Sequence, residues 1–479
     1  MPSRKTSIRP SSFPLPSPPE TVALVLAAGV GKRMHSRASK LVHPLAGKPI
    51  VRYVVEAALG AGVQRALVVV GGQGDDVRGA VGSHDSRVGF CVQDEPLGTG
   101  HAVLAAQRAL KGLSGTLLIL NGDLPSLRAS TLQAFLEFHR HSAVPMTLMT
   151  AEVSDPGSYG RVVRNYNSDV SRIVEATDAS SEERQVKEIN CGIYCVEMAQ
   201  LFRHLKQAGA ANAQGEVYLT ELVEILKRDH HKVAAYRHPD PEEVLGVNNR
   251  QELARAGKTL FQRKAEELMA GGVTILDPAC TYVETPVRVG RDTVLYPMVF
   301  LNGETVVGEA CRIGPGTRIS DSQLGDEVEI LSHCVIDRSR IARGVRIGPF
   351  AHIRPESNLG EGVRIGNFVE TKKSWIGRGS KANHLAYLGD ADIGSGVNVG
   401  AGTITCNYDG QKKHRTILED DVFIGSDTQL VAPVRVGRGA YVGAGSTITK
   451  EVPPYALAIS RGRQVMKENW ARARRKKRH

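Results

Sequence analysis

A glycine loop with two cations at its far end, Ala28-Gly29-Val30-Gly31-Lys32-Arg33-Met34, follows the apolar run TVALVLA at residues 21–27. Bare backbone amides at such a turn can cradle phosphate oxygens while Lys and Arg neutralise them. The spacing excludes two common phosphate loops. Met34 stands where a dinucleotide fingerprint needs its third glycine, and no Ser or Thr follows Gly31-Lys32 as a Walker loop requires. Asn121-Gly122-Asp123 ends another apolar run, residues 116–120, where a carboxylate could hold a divalent cation or serve only as a cap or turn residue. Further polar groups sit between apolar runs at Tyr159-Gly160-Arg161, Glu175, Glu188-Ile189-Asn190 and Gly246-Val247-Asn248-Asn249-Arg250, each unremarkable alone as a turn. The 15 histidines must mostly be bystanders. The seven cysteines are scattered and odd in number. Cys191 and Cys195, four apart, have no second pair or histidine cluster, so reduced structural thiols in a cytosol are expected.

Two kinds of element must position these groups. In the first half, continuous apolar runs at 21–27, 66–70 and 116–120 alternate with helical patterns. That predicts an α/β, Rossmann-like, mostly parallel sheet with ligands at the carboxyl ends of its strands. In the second half an aliphatic residue followed by a small one returns every six positions, at Ile341, Ile347, Ile353, Leu359 and Ile365 and again at Ile424, Leu430, Val436, Val442 and Ile448. Six matches neither a helix nor a hairpin meander, and it predicts a parallel β-helix of hexapeptide repeats. Glycine after the aliphatic residue, as at 348, 360, 366, 425, 437 and 443, is expected to supply backbone freedom at tight corners. The step shortens to five between Thr371 and Ile376 and between Leu388 and Ile393, and it is lost from Cys406 to about Leu418. These lapses are expected to project functional residues out of the stack. Leu253, Leu260, Phe261, Ala265 and Leu268 mark an amphipathic helix closed by Gly271-Gly272. The expected organisation is an extension over 1–20, an α/β domain over 21–249, a linker helix over 250–272, a β-helix over 273–460 and a basic segment over 461–479.

The net charge is +11, but residues 1–20 contribute +2 and residues 471–479 contribute +6. The body is therefore close to neutral and not expected to bind nucleic acid. No apolar run reaches 18 residues, and the N-terminus lacks the apolar core of a secretory signal. Its Arg, Ser and Pro content suggests a disordered extension in preference to a transit peptide.

The motifs Leu26-Ala-Ala-Gly-Val-Gly-Lys-Arg-Met34, Leu45-Ala-Gly-Lys-Pro49, Leu97-Gly-Thr-Gly-His-Ala102, Gly122-Asp123, Asn212-Ala-Gln-Gly-Glu216 and Gly246-Val-Asn-Asn-Arg250 resemble the pyrophosphorylase half of the bifunctional GlmU family. Ile347-Gly-Pro-Phe350, Gly379-Ser-Lys381, His384, Tyr387-Leu-Gly-Asp390, the run 400–410 and the run 421–433 resemble its acetyltransferase half more closely still. The resemblance spans roughly residues 21–470 and implies a left-handed β-helix, a homotrimer and a cytoplasmic enzyme. Its substrates would be UTP, acetyl-CoA, glucosamine 1-phosphate and N-acetylglucosamine 1-phosphate, with Mg²⁺ as cofactor. It further implies that Leu26, Ala27, Ala28, Gly29, Gly31, Gln93, Gly98, Thr99 and Asn121 hold the uridine nucleotide, with Arg33 and Lys40 on its phosphates. Asp123 and Asn248 would hold Mg²⁺, and Gly160, Glu175 and Asn190 the sugar. In the second half it implies His384 as general base, Glu370 and Asn407 orienting or polarising it, and Arg354, Lys372, Tyr387 and Asn398 binding glucosamine 1-phosphate. Ala401, Asn407, Tyr408, Ser426, Ala444 and Arg461 would contact acetyl-CoA, with the Tyr408 region or Ser426 stabilising the oxyanion. The base is a chemical requirement, because an amine protonated near neutrality must lose a proton before it attacks a thioester.

Departures from the family pattern fall in the nucleotide pocket. Lys is usual at Val30, Thr at Lys32, Pro at Ser39, Gln at Pro96 and Tyr at Asn121. An enzyme with the same two halves acting on another nucleotide or sugar is the alternative reading. A non-catalytic regulatory protein would be expected to lose Arg33, Asp123 or His384, and all three are present.

Overall fold

The structure, a computed structural model, describes residues 20–475 apart from residues 30, 73, 83–84 and 210–214. Of the features anticipated above, residues 1–19, Val30, the side chain of Lys32, residues 212–214 and the last four residues of the basic tail lie outside the described residues. The chain divides into two compact units at Leu260 and Phe261.

The first unit is built on a sheet whose main path runs Val233–Arg237, Met146–Glu152, Glu188–Glu197, Thr116–Asn121, Val22–Ala27, Arg65–Gly71, Val88–Gln93. Neighbours pair in parallel except around Glu188–Glu197, which runs antiparallel to the strands on both its sides. The central strands are apolar throughout because both their faces are covered. Val22 to Val25 are buried, as are Leu117 to Leu120. Helices Ile50–Gly60, Ala129–Ser142, Met198–Leu205 and Glu221–Arg228 present their buried residues to this sheet region and to one another. Register aligns Leu26 with Asn121 and Gly71 with Gln93, so the loop after Ala27, Gln93 and the Asn121-Gly122-Asp123 turn reach one edge together. The hairpin Arg161–Arg164 and Val170–Val174 attaches beside Glu188–Glu197 at Ile189.

Helix Arg250–Ala270 begins where Asn249 Oδ1 accepts hydrogen bonds from the amides of Gln251 and Glu252, both at 2.9 Å. It ends where Gly272 takes a φ of 93°. Ala265 and Leu268 belong to the core of the second unit.

That second unit is three sheets of 11, 10 and 9 short parallel strands, each strand paired with its counterpart one coil on. The buried residues form three columns, for example Ile313, Ile330, Ile347 and Ile365 on the first face. The repeat starts at Ile275, well before Ile341, because its early coils use Val and Leu as well as Ile. Each fully buried aliphatic side chain contributes roughly 1.5–3 kcal/mol, so stability is spread along the stack.

The structure corrects two expectations. The five-residue step is not peculiar to the His384 region. Ile319 to Leu324 and Ile336 to Ile341 show it too, always at the corner from the second face to the third. A break of another kind is the segment between Ile404–Cys406 and Thr416–Leu418, where Tyr408 bridges Lys413 in an excursion from the coil. Nor do the corner glycines chiefly supply backbone freedom. Among those named above only Gly348 has a positive φ, 99°. At Gly366 a Cβ would stand 1.7 Å from the Asn383 carbonyl oxygen of the next coil, so close stacking is what excludes a side chain.

Two candidate active sites

In the first unit the strand-end edge opens into a cleft of about 550 Å³ lined by Leu26, Ala28, Gly29, Gly31, Arg33, Lys40, Gln93, Gly98, Thr99, Asn121, Asp123 and Asn248 among others. A second cavity of about 210 Å³ adds Gly160, Glu175 and Asn190 and shares Leu26, Arg33, Thr99, Asn121, Asp123 and Asn248 with the first. Ala27 lines an adjoining pocket with Ala28, Gly29 and Gln93. The first-half residues assigned above to the nucleotide, its phosphates, the metal and the sugar therefore converge. Ser158, Tyr194 and Thr220, which also line the smaller cavity, were not singled out. Ser158 and Thr220 enter through contacts distant in sequence, with Arg33 and Glu175, and Tyr194 through Asn190 four residues before it on the same strand.

Where the cavities meet, the Lys40 ammonium donates to Asp123 Oδ2 and, at 3.0 Å, to Asn248 Oδ1. Arg33 donates to the same Asn248 oxygen at 3.1 Å and to Ser158 Oγ at 3.0 Å. Gly31, at φ 67°, leaves room for the Lys40 stem, since a Cβ there would lie 2.7 Å from Lys40 Cβ. Two oxygens already converging on one cationic point fit a divalent cation that takes few protein ligands and completes its shell with phosphate and water. Among the described residues no cluster of three or more His, Cys, Asp or Glu offers a fuller protein-only site.

The smaller cavity is a polar socket. Asn190 Nδ2 donates to the Tyr194 hydroxyl at 2.6 Å, and Thr220 Oγ1 donates to Glu175 at 3.3 Å. Burial pushes the Glu175 carboxyl up, against the opposing Thr220 bond. Gly192, at φ 70°, lies against Asn121, whose Nδ2 would be 2.0 Å from an added Cβ. Gly192→Ala should therefore displace Asn121 from the cleft wall and strain the backbone by roughly 1–3 kcal/mol. The uridyl transfer that the resemblance implies is expected to fall about tenfold or more with the implied acetyl transfer unchanged, as parallel initial-rate assays would read.

In the second unit Asn367 and His384 are register partners on adjacent coils, and His384 Nδ1 meets Asn367 Oδ1 at 2.9 Å. An amide oxygen can only accept, so Nδ1 carries a proton, and in the neutral ring Nε2 is the nitrogen with the lone pair. Glu370 and Asn407, expected to orient the imidazole, are engaged elsewhere in the chain. Arg354 donates to Glu370 at 2.7 Å, and Asn407 donates to Asp390 at 2.5 Å. Sequence reasoning missed Asn367, although its offset of one coil from His384 could have suggested it. Asn367→Ala is expected to lower the acetyl transfer that the resemblance implies about tenfold through loss of the tautomer lock, whereas Asn367→Asp, which still accepts from Nδ1–H, should recover most of it. Steady-state rates of the two variants check this.

Arg354 and Lys372 follow the buried residue of successive coils on the second face, and Tyr387 precedes it one coil on. Lys413, also missed, lies beside Lys372 and holds that ammonium below its usual value, with Arg354 adding to the effect. Asn398 is not brought to this group, because it starts a strand of the first face. Ala401 and Ser426 follow Val399 and Ile424 by two positions, and Ala444 follows Val442 likewise. These strands are in register above Ala382-Asn383-His384, so the three residues stack in one corner column with His384. Arg461 donates to the Ala444 carbonyl at 2.8 Å. Tyr408 donates to the Gly410 carbonyl at 2.6 Å within the excursion, which Asp409 closes by accepting from His414 Nε2 at 2.6 Å.

A nucleotide cleft in an α/β unit and a histidine-bearing corner on a hexapeptide β-helix define a transferase with two centres, one for nucleotidyl and one for acyl groups. A MobA-like NTP transferase domain matches residues 23–213, a GMPPB C-terminal domain residues 281–376, and six bacterial transferase hexapeptide repeats residues 415–450. The bifunctional protein GlmU of Geobacillus sp. (strain WCH70) is 48% identical over 448 residues, covering 94% of this chain and 97% of the relative. That of Trichlorobacter lovleyi is 48% identical over 450 residues, covering 94% and 98%. That of Geobacter metallireducens is 47% identical over 468 residues, with the same coverage as the second. The chain belongs to the GlmU family. It is an enzyme with nucleotidyltransferase and acetyltransferase activities.

Proposed function

We infer that the chain makes UDP-N-acetylglucosamine in two steps. Glucosamine 1-phosphate is acetylated by acetyl-CoA, and the N-acetylglucosamine 1-phosphate formed attacks UTP with release of pyrophosphate. The observation that carries this reading is the meeting of a nucleotide-sized cleft and a polar socket at Arg33, Lys40, Asp123 and Asn248.

For uridyl transfer, the 28–31 loop, Gln93, Gly98 and Thr99 hold the nucleotide, and Arg33 and Lys40 neutralise its phosphates. Glu175, Asn190 and the Gly160 backbone orient the sugar. The attacking phosphate oxygen is already ionised, so the residues position and neutralise and do not remove a proton. Mg²⁺ held by Asp123 and Asn248 would supply charge stabilisation across the triphosphate. For acetyl transfer, His384 Nε2 takes a proton from the substrate ammonium so that the free amine attacks the thioester carbon, and the C–S bond breaks with CoA leaving as its thiol. Arg354 and Lys372 hold the sugar phosphate, with Tyr387 and Asn398 on the sugar. The column Ala401, Ser426, Ala444 with Arg461 seats acetyl-CoA, and Ser426 or the Tyr408 region receives the oxyanion.

Because Asn398 lies on another face from Arg354, Lys372 and Tyr387, a homotrimer in which neighbouring chains complete each acetyl site is part of the proposal. Light scattering would test it, and a monodisperse monomer active in acetylation would overturn it. Domain boundaries at 21–249, 250–272 and 273–460, and action in the cytoplasm, complete the reading. Among the described residues no helix is long and apolar enough to cross a membrane. The deciding experiment is a coupled assay with acetyl-CoA, glucosamine 1-phosphate, Mg²⁺ and, in turn, UTP, dTTP, ATP and CTP. Free CoA and pyrophosphate are read separately. A preference for a base other than uracil would overturn the nucleotide assignment in favour of the alternative specificity.

A further inference from the structure

Asp123 stands five residues before Arg128, and Glu243 stands five residues before Asn248. The far ends of these two short segments are fastened to each other. Glu243 Oε1 accepts from the Arg128 amide at 3.0 Å and from the Thr131 hydroxyl, while its other oxygen faces Arg128 Nε at 3.6 Å and His238 Nε2 at 3.7 Å. Arg128 is the N-cap of helix Ala129–Ser142 and makes no side-chain cap bond, and a carboxylate 115 residues away accepts from its backbone amide at the start of that helix. The Glu243 side chain is 4% exposed. Burial pushes its carboxyl up, but the nearby His238 ring and the bonds from Thr131 and the Arg128 amide outweigh that and hold it down to about 2.

Nearer the site the two segments are in close contact. The Val247 amide donates to the Asp123 carbonyl at 2.8 Å, and a Cβ on Gly246 would lie 3.1 Å from Asp123 Oδ1. From the other side the Tyr159 hydroxyl accepts from the Gly246 amide at 2.9 Å. At such distances a small slip of residues 243–248 along the Asp123 turn changes the separation of the Asp123 and Asn248 side-chain oxygens.

We propose that Glu243 is a positioning residue for uridyl transfer, a buried clasp that fixes the spacing of Asp123 and Asn248 by tying their two segments together. The inference rests on the reading of those two residues as the holders of Mg²⁺. It touches neither substrate nor metal directly.

The test uses the full chain with Glu243→Ala, Glu243→Gln and Asp123→Ala, and Mn²⁺ as the probe. Mn²⁺ binding in the presence of UTP is followed by loss of the free-ion electron paramagnetic resonance signal. Glu243→Ala is expected to weaken Mn²⁺ binding about tenfold and to raise the Mg²⁺ needed for half-maximal uridyl transfer by a similar factor. The rate at saturating metal and the acetyl transfer rate should stay near those of the parent. Glu243→Gln, whose amide oxygen still accepts from Arg128 and Thr131, should shift Mn²⁺ binding about two- to threefold, and it carries the test if the alanine variant fails to fold. Parent-like Mn²⁺ binding in the Glu243 variants, with binding lost in Asp123→Ala, overturns the clasp alone. A fall in saturated rate with no shift in metal requirement overturns it as well. Parent-like Mn²⁺ binding in Asp123→Ala overturns the metal reading and the clasp with it.

Discussion

Replacing His384 with alanine is expected to lower acetyl transfer by on the order of 10²-fold or more while uridyl transfer keeps its parent rate. The expectation rests on the hydrogen bond to Asn367. With the Nδ1 proton given to an amide oxygen, Nε2 is the basic nitrogen, and it is carried on an exposed corner where an amine can reach it. No stacking contact depends on the imidazole, since the buried residue of that strand is Ala382. The variant should therefore fold as the parent does. Free-CoA release with glucosamine 1-phosphate measures the loss, and pyrophosphate release with preformed N-acetylglucosamine 1-phosphate gives the control. An undiminished CoA rate would remove His384 from the role of base.

Asp123→Ala should have the opposite profile, with metal-dependent uridyl transfer abolished and acetyl transfer near normal. The carboxylate lies on the boundary shared by both cavities, next to Lys40, and its backbone carbonyl receives the Val247 amide. Alanine keeps that backbone bond and leaves the turn intact, so the loss is one of charge. It should also strand the Lys40 ammonium beside Asn248, weakening the place where a divalent cation is held and not only the rate of the step. Pyrophosphate release across a Mg²⁺ titration checks this. If both activities fell together in a folded protein, the assignment of one centre to each unit would be wrong.

The parts of both sites that were legible in the sequence are those made by neighbours along the chain. The glycine loop with Arg33, and Asp123 at a strand end, announce themselves because a short segment holds both the turn and the charged group. Recognition of the family pattern added residues such as Gln93 and Ser426, whose types alone say little. What stayed hidden depends on stacking or on distant contact. Asn367 finds His384 only because one coil lies on the next, and the same offset relates every pair of stacked strands in the unit. Glu243 reaches Arg128 across 115 positions, and nothing in its own segment distinguishes it from a solvated acid. The five-residue steps misled because their recurrence at Leu324 and Ile341 becomes meaningful only once the three faces are sorted.

The corner column His384, Ala401, Ser426, Ala444 has a consequence for how this centre can vary. Strand spacing sets its members roughly 4.8 Å apart, so the three intervals from His384 to Ala444 measure about 14 Å. Reach along the stack is quantised. Removing or adding a complete coil would move the far end of a donor laid along this column by one fixed increment, whereas a lesser insertion, like the excursion between Cys406 and Thr416, loops out and leaves the register and the length unchanged. The α/β cleft has no such ruler, because its walls are loops that can be lengthened by any number of residues. On the proposed seating of acetyl-CoA along this column, donor length is set in whole coils, whereas the walls of the nucleotide cleft can change by single residues.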